Sequence, residues 1–387
     1  MKFLYNTVSL CNHCYRHVPA IVIEKDEKIC LTKQCPTHGE MQEVVEPDAE
    51  FYYSVAKAYP GLKINSIVFE ATDRCQLACP HCYHVPDNDA NDVEFDVIKT
   101  QLQLFPQGYD PLIAGAEPLL YKKIFDLVSY IDEHYGYSKF LTNGIRFADE
   151  DFTKKIFAAG RISPSIGLNH KSYQGEAVHR KQLAGIANVK QYTKITDFSY
   201  TVEDWAHLGE ILEEIDNIYD DRTLSVRIRG GADIGRSSGD RNYLSVIVKK
   251  LKEQLGNELV STPDDDNTYY RTFDWKGKKL RIAQWPDVKT FDLEEIQCGP
   301  WANFVNGPVT HFLHQIIRRD AFKLQGLPKL DECPPYYHAK THDQLDITRN
   351  WRYNWQGPIG ITDLEYKWID QQRTPLSVFP GIPVNTI

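Results

Sequence analysis

No stretch of this 387-residue chain approaches eighteen consecutive apolar residues, so no membrane-spanning helix is expected. Positive charge is not in excess either: 44 Lys and Arg stand against 53 Asp and Glu, a formal net charge of −9. That balance argues against non-specific nucleic-acid binding and against docking on an anionic membrane face, since both draw on basic patches. The opening Met1–Thr7 turns polar too soon for a secretory signal. There is no obvious internal repeat and no low-complexity tract. A protein of the reducing cytoplasm is expected, with no nucleic-acid partner.

Cysteine is scarce at nine residues, and seven of them fall within the first 82 positions in two tight groups. In a reducing compartment, grouped cysteines read as metal or catalytic sites rather than disulfides. Cys11, Cys14, Cys30 and Cys35 form the first group; Cys75, Cys79 and Cys82 form the second.

Three regions follow from the patterning. Residues 1–48 make a small unit with little core-building material, which needs a metal or another staple. Glu46-Pro47-Asp48-Ala49-Glu50 reads as a polar connector after it. Residues 64–256 alternate apolar strands with amphipathic helices. Strands are expected at 64–70, 111–115, 138–142, 162–168, 195–202 and 224–229, with a helix after each and Gly160 as a C-cap. Six such units predict a parallel sheet with helices outside, the fold class α/β, as a partial (β/α)6 version of the eight-unit barrel. Residues 257–387 break the rhythm. Tyr269–Asp274 and Lys279–Ala283 flank W-K-G-K and read as a hairpin; the rest is expected to form an irregular cap or substrate region.

The stretch C-Q-L-A-C-P-H-C-Y, residues 75–83, directly follows the first expected strand. Three thiolates so spaced suit three irons of a 4Fe–4S cluster, leaving the fourth iron open to a ligand. Loops that follow barrel strands carry the chemistry. A zinc site completed by His81 or His84, and plain structural cysteines, are the alternatives from spacing alone.

C-x3-C-x2-C, as Cys75, Cys79 and Cys82, resembles the signature of the radical SAM superfamily. The resemblance implies that S-adenosylmethionine binds the open iron through its amino and carboxylate groups. Reduction then yields a 5′-deoxyadenosyl radical, with the electron drawn from a partner such as flavodoxin or ferredoxin. The position before the third cysteine, here His81, packs on the adenine in that family. G-A-E-P, residues 115–118, is similar to the family's G-G-E-P. It implies that Glu117 accepts from the cofactor's amino group while Gly115 and Ala116 let the backbone come close; Ala116 departs from the second glycine. T-N-G, residues 142–144, is another frequent ending and brings Asn143 to the cofactor. Ser165 and either Arg227 or Arg229 stand where members place ribose and carboxylate contacts.

S-L-C-x2-C followed by K-x-C-P-x-H-G resembles the N-terminus of a radical SAM subgroup that includes tetraether lipid synthases and pterin-methylating enzymes. From the residues themselves, Cys11, Cys14, Cys30 and Cys35 suit a closed tetrahedral site for zinc or a rubredoxin-type iron. His13 and His38 are alternative ligands, with a solvent-facing or outer-partner place as the plainer reading of each.

Cys298 and Cys333 are two further thiols. They are candidates for donating a hydrogen atom to a substrate radical, with buried apolar cysteines as the plainer reading. The function expected is hydrogen abstraction from an unactivated C–H bond, for C–C bond formation or methylation of a small-molecule or lipid-like substrate. A peptide-modifying radical enzyme is one alternative, although the first 63 residues show no leader-binding domain. A non-catalytic zinc-binding scaffold is the other.

Overall fold

The computed structural model describes residues 1–13, 17–56, 66–82, 86–89, 91–103, 110–231, 242–262, 270–284 and 288–290. Cys14, His84, Cys298, Cys333 and the expected C-terminal cap beyond 290 lie outside the described residues.

The N-terminal segment is an antiparallel four-stranded sheet in the order β1 (Lys2–Leu10), β2 (His17–Lys25), β3 (Lys28–Cys35) and β4 (Gly39–Glu46). It has more core than its length suggests. Ala20, Val22, Ile29, Leu31 and Val45 pack with Ala49 and Tyr52 of a following helix, α1 (Ala49–Ala56). The connector expected at 46–50 is therefore structured. Asp48 caps α1 by accepting from the Phe51 N–H at 2.8 Å, which satisfies one of the orphan donors of the first turn.

A second sheet contains nine strands. β5 (Ser66–Glu70), β6 (Asp110–Ala114), β7 (Ser138–Thr142), β8 (Ile162–Gly167), β9 (Asp197–Val202) and β10 (Val226–Gly230) run parallel and lie side by side in chain order. Between them come α2 (Phe95–Gln103), α3 (Ile124–Tyr135), α4 (Glu150–Ala159), α5 (Lys171–Gln174), α6 (Glu176–Lys190) and α7 (Leu208–Ile218), with α8 (Leu244–Leu255) after β10. One face of the sheet carries Ile113, Phe140, Ile166, Phe198 and Ile228, all inaccessible to solvent. They meet the apolar stripes of the helices, Ile124, Leu127, Val128 and Ile131 on α3 among them, in one continuous core.

Beyond β10 the sheet continues through β13 (Lys278–Ala283), β12 (Tyr270–Trp275) and β11 (Leu259–Ser261). β13 runs parallel to β10, whereas β12 and β13 are an antiparallel hairpin. Its two turn residues, Lys276 and Gly277, both have positive φ, +52° and +77°. That is the two-residue turn whose twist matches the flanking strands. The hairpin read from W-K-G-K thus extends the parallel sheet rather than leaving it.

The N-terminal sheet meets the larger unit through part-buried polar contacts to α8 and to the turn at Val288–Thr290. Lys33, wholly buried on β3, donates to the Lys289 carbonyl at 2.7 Å. Glu46 at the end of β4 accepts from the Ser245 hydroxyl and backbone N–H in the first turn of α8, where a carboxylate is favoured by the helix dipole.

Two glycines are fixed by close approach. Gly160 follows α4 with φ 168°, which is ordinary extended backbone, so the left-handed cap is not what holds it. A Cβ there would meet the Asp132 Cβ at 2.7 Å. Gly185 lies inside α6, where a Cβ would lie 2.4 Å from the Gly144 carbonyl oxygen. Helix propensity favours Ala over Gly by about 1 kcal/mol, but the overlap opposes it. Gly185→Ala should therefore lower stability by about 1–2 kcal/mol, since overpacking costs more than propensity returns. Urea unfolding measures this; a raised midpoint would contradict the packing.

Candidate functional site

The C-terminal ends of β5 to β10 bring the singled-out residues together. Arg74 leads into the cysteine loop and is anchored on both sides. Its guanidinium holds Asp92 at 2.8–3.1 Å and the Leu120 carbonyl at 2.8 Å, while its own carbonyl accepts from the Glu117 N–H at 3.0 Å. Cys75 N–H donates to Asn88 Oδ1 at 3.0 Å, and Cys82 N–H to the Cys79 carbonyl at 3.2 Å.

Cys75 is buried; Cys79 and Cys82 are partly exposed. Burial pushes the Cys75 thiol up to about 12, and the nearby Glu117, Cys79 and Cys82 add to the rise. Cys75 feels the charge of both other sulfurs, so the three lie near one another, and a buried thiolate at Cys75 is stable only with a cationic centre beside it. The donor set therefore fits an iron–sulfur cluster. His81 lies in the same loop. It is 8% exposed, its Nδ1 is buried without a partner, and burial lowers its pKa so that it stays neutral. Its ring meets Tyr173 edge-on at 5.4 Å.

Gly115 has φ +103°, which explains a glycine at the head of G-A-E-P. Glu117 is fully buried and works as a brace. Its carboxylate accepts from Thr142 Oγ1 at 2.6 Å, Leu119 N–H at 3.1 Å and Asn143 N–H at 2.8 Å, tying the end of β6 to the T-N-G turn after β7. Those bonds favour the anion, yet burial outweighs them and raises the carboxyl to about 7. Gly144 closes the turn at φ +73°. Gln182 of α6 locks it from below, donating to the Asn143 carbonyl at 2.8 Å and the Gly167 carbonyl at 2.9 Å.

Ser165, Asp197 and Arg227 line up on neighbouring strands. Ser165 and Asp197 are register partners, and the Ser165 hydroxyl donates to Asp197 Oδ1. Arg227 Nη2 reaches Asp197 Oδ2 at 2.7 Å and Ser165 Oγ at 3.2 Å. Arg229 shares the Arg227 face, holds Ser199 Oγ at 2.8 Å, and its charge bears on His81. The structure thus separates the two arginines: Arg227 already neutralises a buried carboxylate, and Arg229 is the one beside His81.

A further cluster sits after β8 and in the first turn of α7. His170 Nε2 lies 3.2 Å from Glu210, and His207 Nδ1 lies 3.8 Å from it. The two rings stack at 4.1 Å and 17°. Nearly parallel ring planes at that spacing do not share a point where one ion could meet both nitrogens. The cluster as placed is a stacked pair of rings around Glu210, which Lys171 also pairs at 3.3 Å.

In the N-terminal sheet the four-cysteine expectation is corrected. Cys30 lies between Ile23 and Val44 in the ladder and packs with Ile21, Ile23 and Phe3. It is five residues from Cys35 on one strand, so the two point to opposite faces about 16 Å apart. Cys11, Cys35 and His38 converge instead, their donor atoms within 4.8 Å of one another. His38 Nδ1 is 3.4 Å from each sulfur. A tetrahedral zinc with Zn–S of about 2.3 Å and Zn–N of about 2.0–2.1 Å sets sulfur and nitrogen about 3.5 Å apart. The donors therefore fit such an ion. The signal was the C-x2-H spacing of Cys35 and His38, which mirrors the C-x2-C of Cys11 and Cys14.

Arg74, Asp92 and Gln182 were not legible as site residues, because their contacts arise only when loops from separate units close on one another.

Comparison with known proteins gives three findings. The family described as HMPTM N-terminal zinc ribbon domain matches residues 3–47. A 7,8-dihydro-6-hydroxymethylpterin dimethyltransferase of Methanocaldococcus jannaschii is 27% identical over 202 residues, 43% of this chain and 40% of that protein. The match thus spans well under half of the relative's length. Among solved structures, Streptococcus suis SuiB bound to S-adenosylmethionine aligns at TM-score 0.41 and 14% identity, over 53% of this chain and 50% of that one. SuiB bound to precursor peptide SuiA aligns at TM-score 0.41 and 13% identity, over 53% and 49%. These structural likenesses are loose. The chain resembles a pterin-methylating member of the radical SAM class in sequence, and its N-terminal segment resembles a zinc ribbon.

The Glu117 carboxyl gives a pH signature. Its folded-state pKa of about 7 lies above the ordinary 4.5, so the folded chain holds this proton more tightly than the unfolded one. The stabilisation is fully present below pH 4.5 and is lost as pH rises through 7. Wild type minus Glu117→Gln stability should therefore shrink between pH 5 and pH 8 in denaturant titrations; a difference that grows with pH would contradict the assignment.

Proposed function

We propose that this chain is a radical SAM enzyme whose open sheet is a partial (β/α)6 barrel. In this reading Cys75, Cys79 and Cys82 hold a 4Fe–4S cluster, and S-adenosylmethionine binds beside it. The observation that carries it is the convergence of the cysteine loop with the G-A-E-P and T-N-G turns at one end of a parallel sheet. When bound, the pair supplies reductive cleavage of S-adenosylmethionine and hydrogen abstraction from an unactivated C–H bond.

This chain's own residues prepare the place. Arg74 and Asp92 fix the entry to the loop, and Glu117 fixes the two turns that flank it. His81, neutral and half-satisfied, offers a planar face and a free ring nitrogen to the adenine side. Arg229 supplies positive charge there, and Ser165 a hydroxyl within the Asp197–Arg227 group. A partner such as flavodoxin or ferredoxin would deliver the electron. The relative's name, a dimethyltransferase acting on a hydroxymethylpterin, favours methylation with C–C bond formation on a small molecule over a peptide substrate. Among the described residues no helix is long and apolar enough to cross a membrane.

The N-terminal sheet would hold zinc through Cys11, Cys35 and His38, with Cys14 as fourth ligand by its C-x2-C spacing. Its place is structural, since β3 and β4 also carry the contacts to the Lys289 carbonyl beyond β13 and to α8.

Two experiments test these assignments. Anaerobically reconstituted protein given reductant and S-adenosylmethionine should release 5′-deoxyadenosine, and the Cys75→Ala/Cys79→Ala/Cys82→Ala variant should not. Equal release from both, or no cluster on the wild type, would contradict the reading. For the ribbon, metal analysis should find one zinc per chain in wild type and in Cys30→Ala, and none in His38→Ala or Cys35→Ser. Zinc lost from Cys30→Ala but kept in His38→Ala would restore the four-cysteine set.

A further inference from the structure

Asn143 opens the T-N-G turn, and its polar atoms are all engaged. Its N–H donates to Glu117 at 2.8 Å and its carbonyl accepts from Gln182 at 2.8 Å. Side-chain Oδ1 accepts from the Ile145 N–H at 3.1 Å and from Gln76 Nε2 at 3.2 Å. The Ile145 backbone N–H decides the orientation of the amide, because the flipped form would set its NH2 against that N–H, and Gln76 turns its own amide to match. The side-chain nitrogen Nδ2 then lies 3.7 Å from Cys75 Sγ. That sulfur also accepts from the Leu77 N–H at 3.4 Å.

We propose that Asn143 is a positioning residue that donates its side-chain amide to the Cys75 sulfur and so raises the reduction potential of the cluster Cys75 would hold. The inference rests on the radical SAM reading above. It differs from the cofactor contact that the T-N-G resemblance implies, because the amide addresses a protein sulfur. An N–H donor stabilises negative charge on a ligating sulfur, and reduction adds negative charge, so the donor favours the reduced state. The turn is built to hold this donor still. Glu117 and Gln182 clamp its backbone on both sides, Gly144 adopts the left-handed conformation that follows it, and Gly185 admits the Gly144 carbonyl against α6.

The test is a redox titration of the anaerobically reconstituted full chain, followed by EPR, on wild type, Asn143→Asp, Asn143→Ala and Gln76→Ala. Asn143→Asp keeps the shape and the acceptor for Ile145 but replaces the donor with an anionic oxygen. Both Asn143 variants should titrate at more negative potential than wild type, Asp further than Ala. Gln76→Ala, which touches the same side chain on its acceptor side, should titrate as wild type. Unchanged potentials in both Asn143 variants at wild-type cluster content would overturn the proposal. So would an equal shift in Gln76→Ala, which would mark a loosened loop, and so would cluster loss in both Asn143 variants at wild-type folding. A wild type that assembles no cluster would overturn the underlying reading instead, before any variant is compared.

Discussion

One buried carboxylate holds the chemical end of this molecule together. Glu117 is sealed from solvent and accepts from donors on its own turn and on the turn after β7, so neither turn moves without stranding buried N–H groups. An unpaired buried donor costs about 1–3 kcal/mol. The Glu117 backbone N–H also donates to the Arg74 carbonyl, which extends the constraint to the cysteine loop. Three loops from three successive β/α units are thereby fixed by one residue, and the thiols ride on that frame.

The second constraint is shape. α6 presses Gly185 against the carbonyl of Gly144, and Gln182 from the same helix closes the remaining carbonyls of the turns after β7 and β8. The helix that packs on the outside of the sheet thus also sets the height of the T-N-G turn at its end. On the inward face of the neighbouring strands, Ser165, Asp197 and Arg227 form a charge-paired ladder, the cross-strand arrangement that holds side chains in a pleated register.

Much of this was legible in the sequence. Strand runs such as S-K-F-L-T stand out because a parallel sheet covered on one face by helices reads as short apolar segments punctuated by turn residues, and β7 matches its expected bounds. Leu120, Ile124, Leu127, Val128 and Ile131 have the spacing of one helix face, and α3 forms over the last four, whereas Leu120 belongs to the short turn before it. Composition could not separate a ligating cysteine from an apolar one. Cys30 sits on the ladder between Ile23 and Val44, whereas Cys35 ends the strand beside a C-x2-H knuckle, and only strand parity tells them apart. The part-buried pairs, Arg74 with Asp92 and Glu46 with Ser245, are tertiary facts, since nothing local marks either partner.

The central claim is that Cys75, Cys79 and Cys82 hold a cluster with one iron open to S-adenosylmethionine. EPR of the anaerobically reduced protein, recorded with and without S-adenosylmethionine, tests it most directly. The account predicts a cluster signal in wild type whose g values change when S-adenosylmethionine is added. A signal that S-adenosylmethionine leaves untouched, or no cluster signal at all, would contradict it.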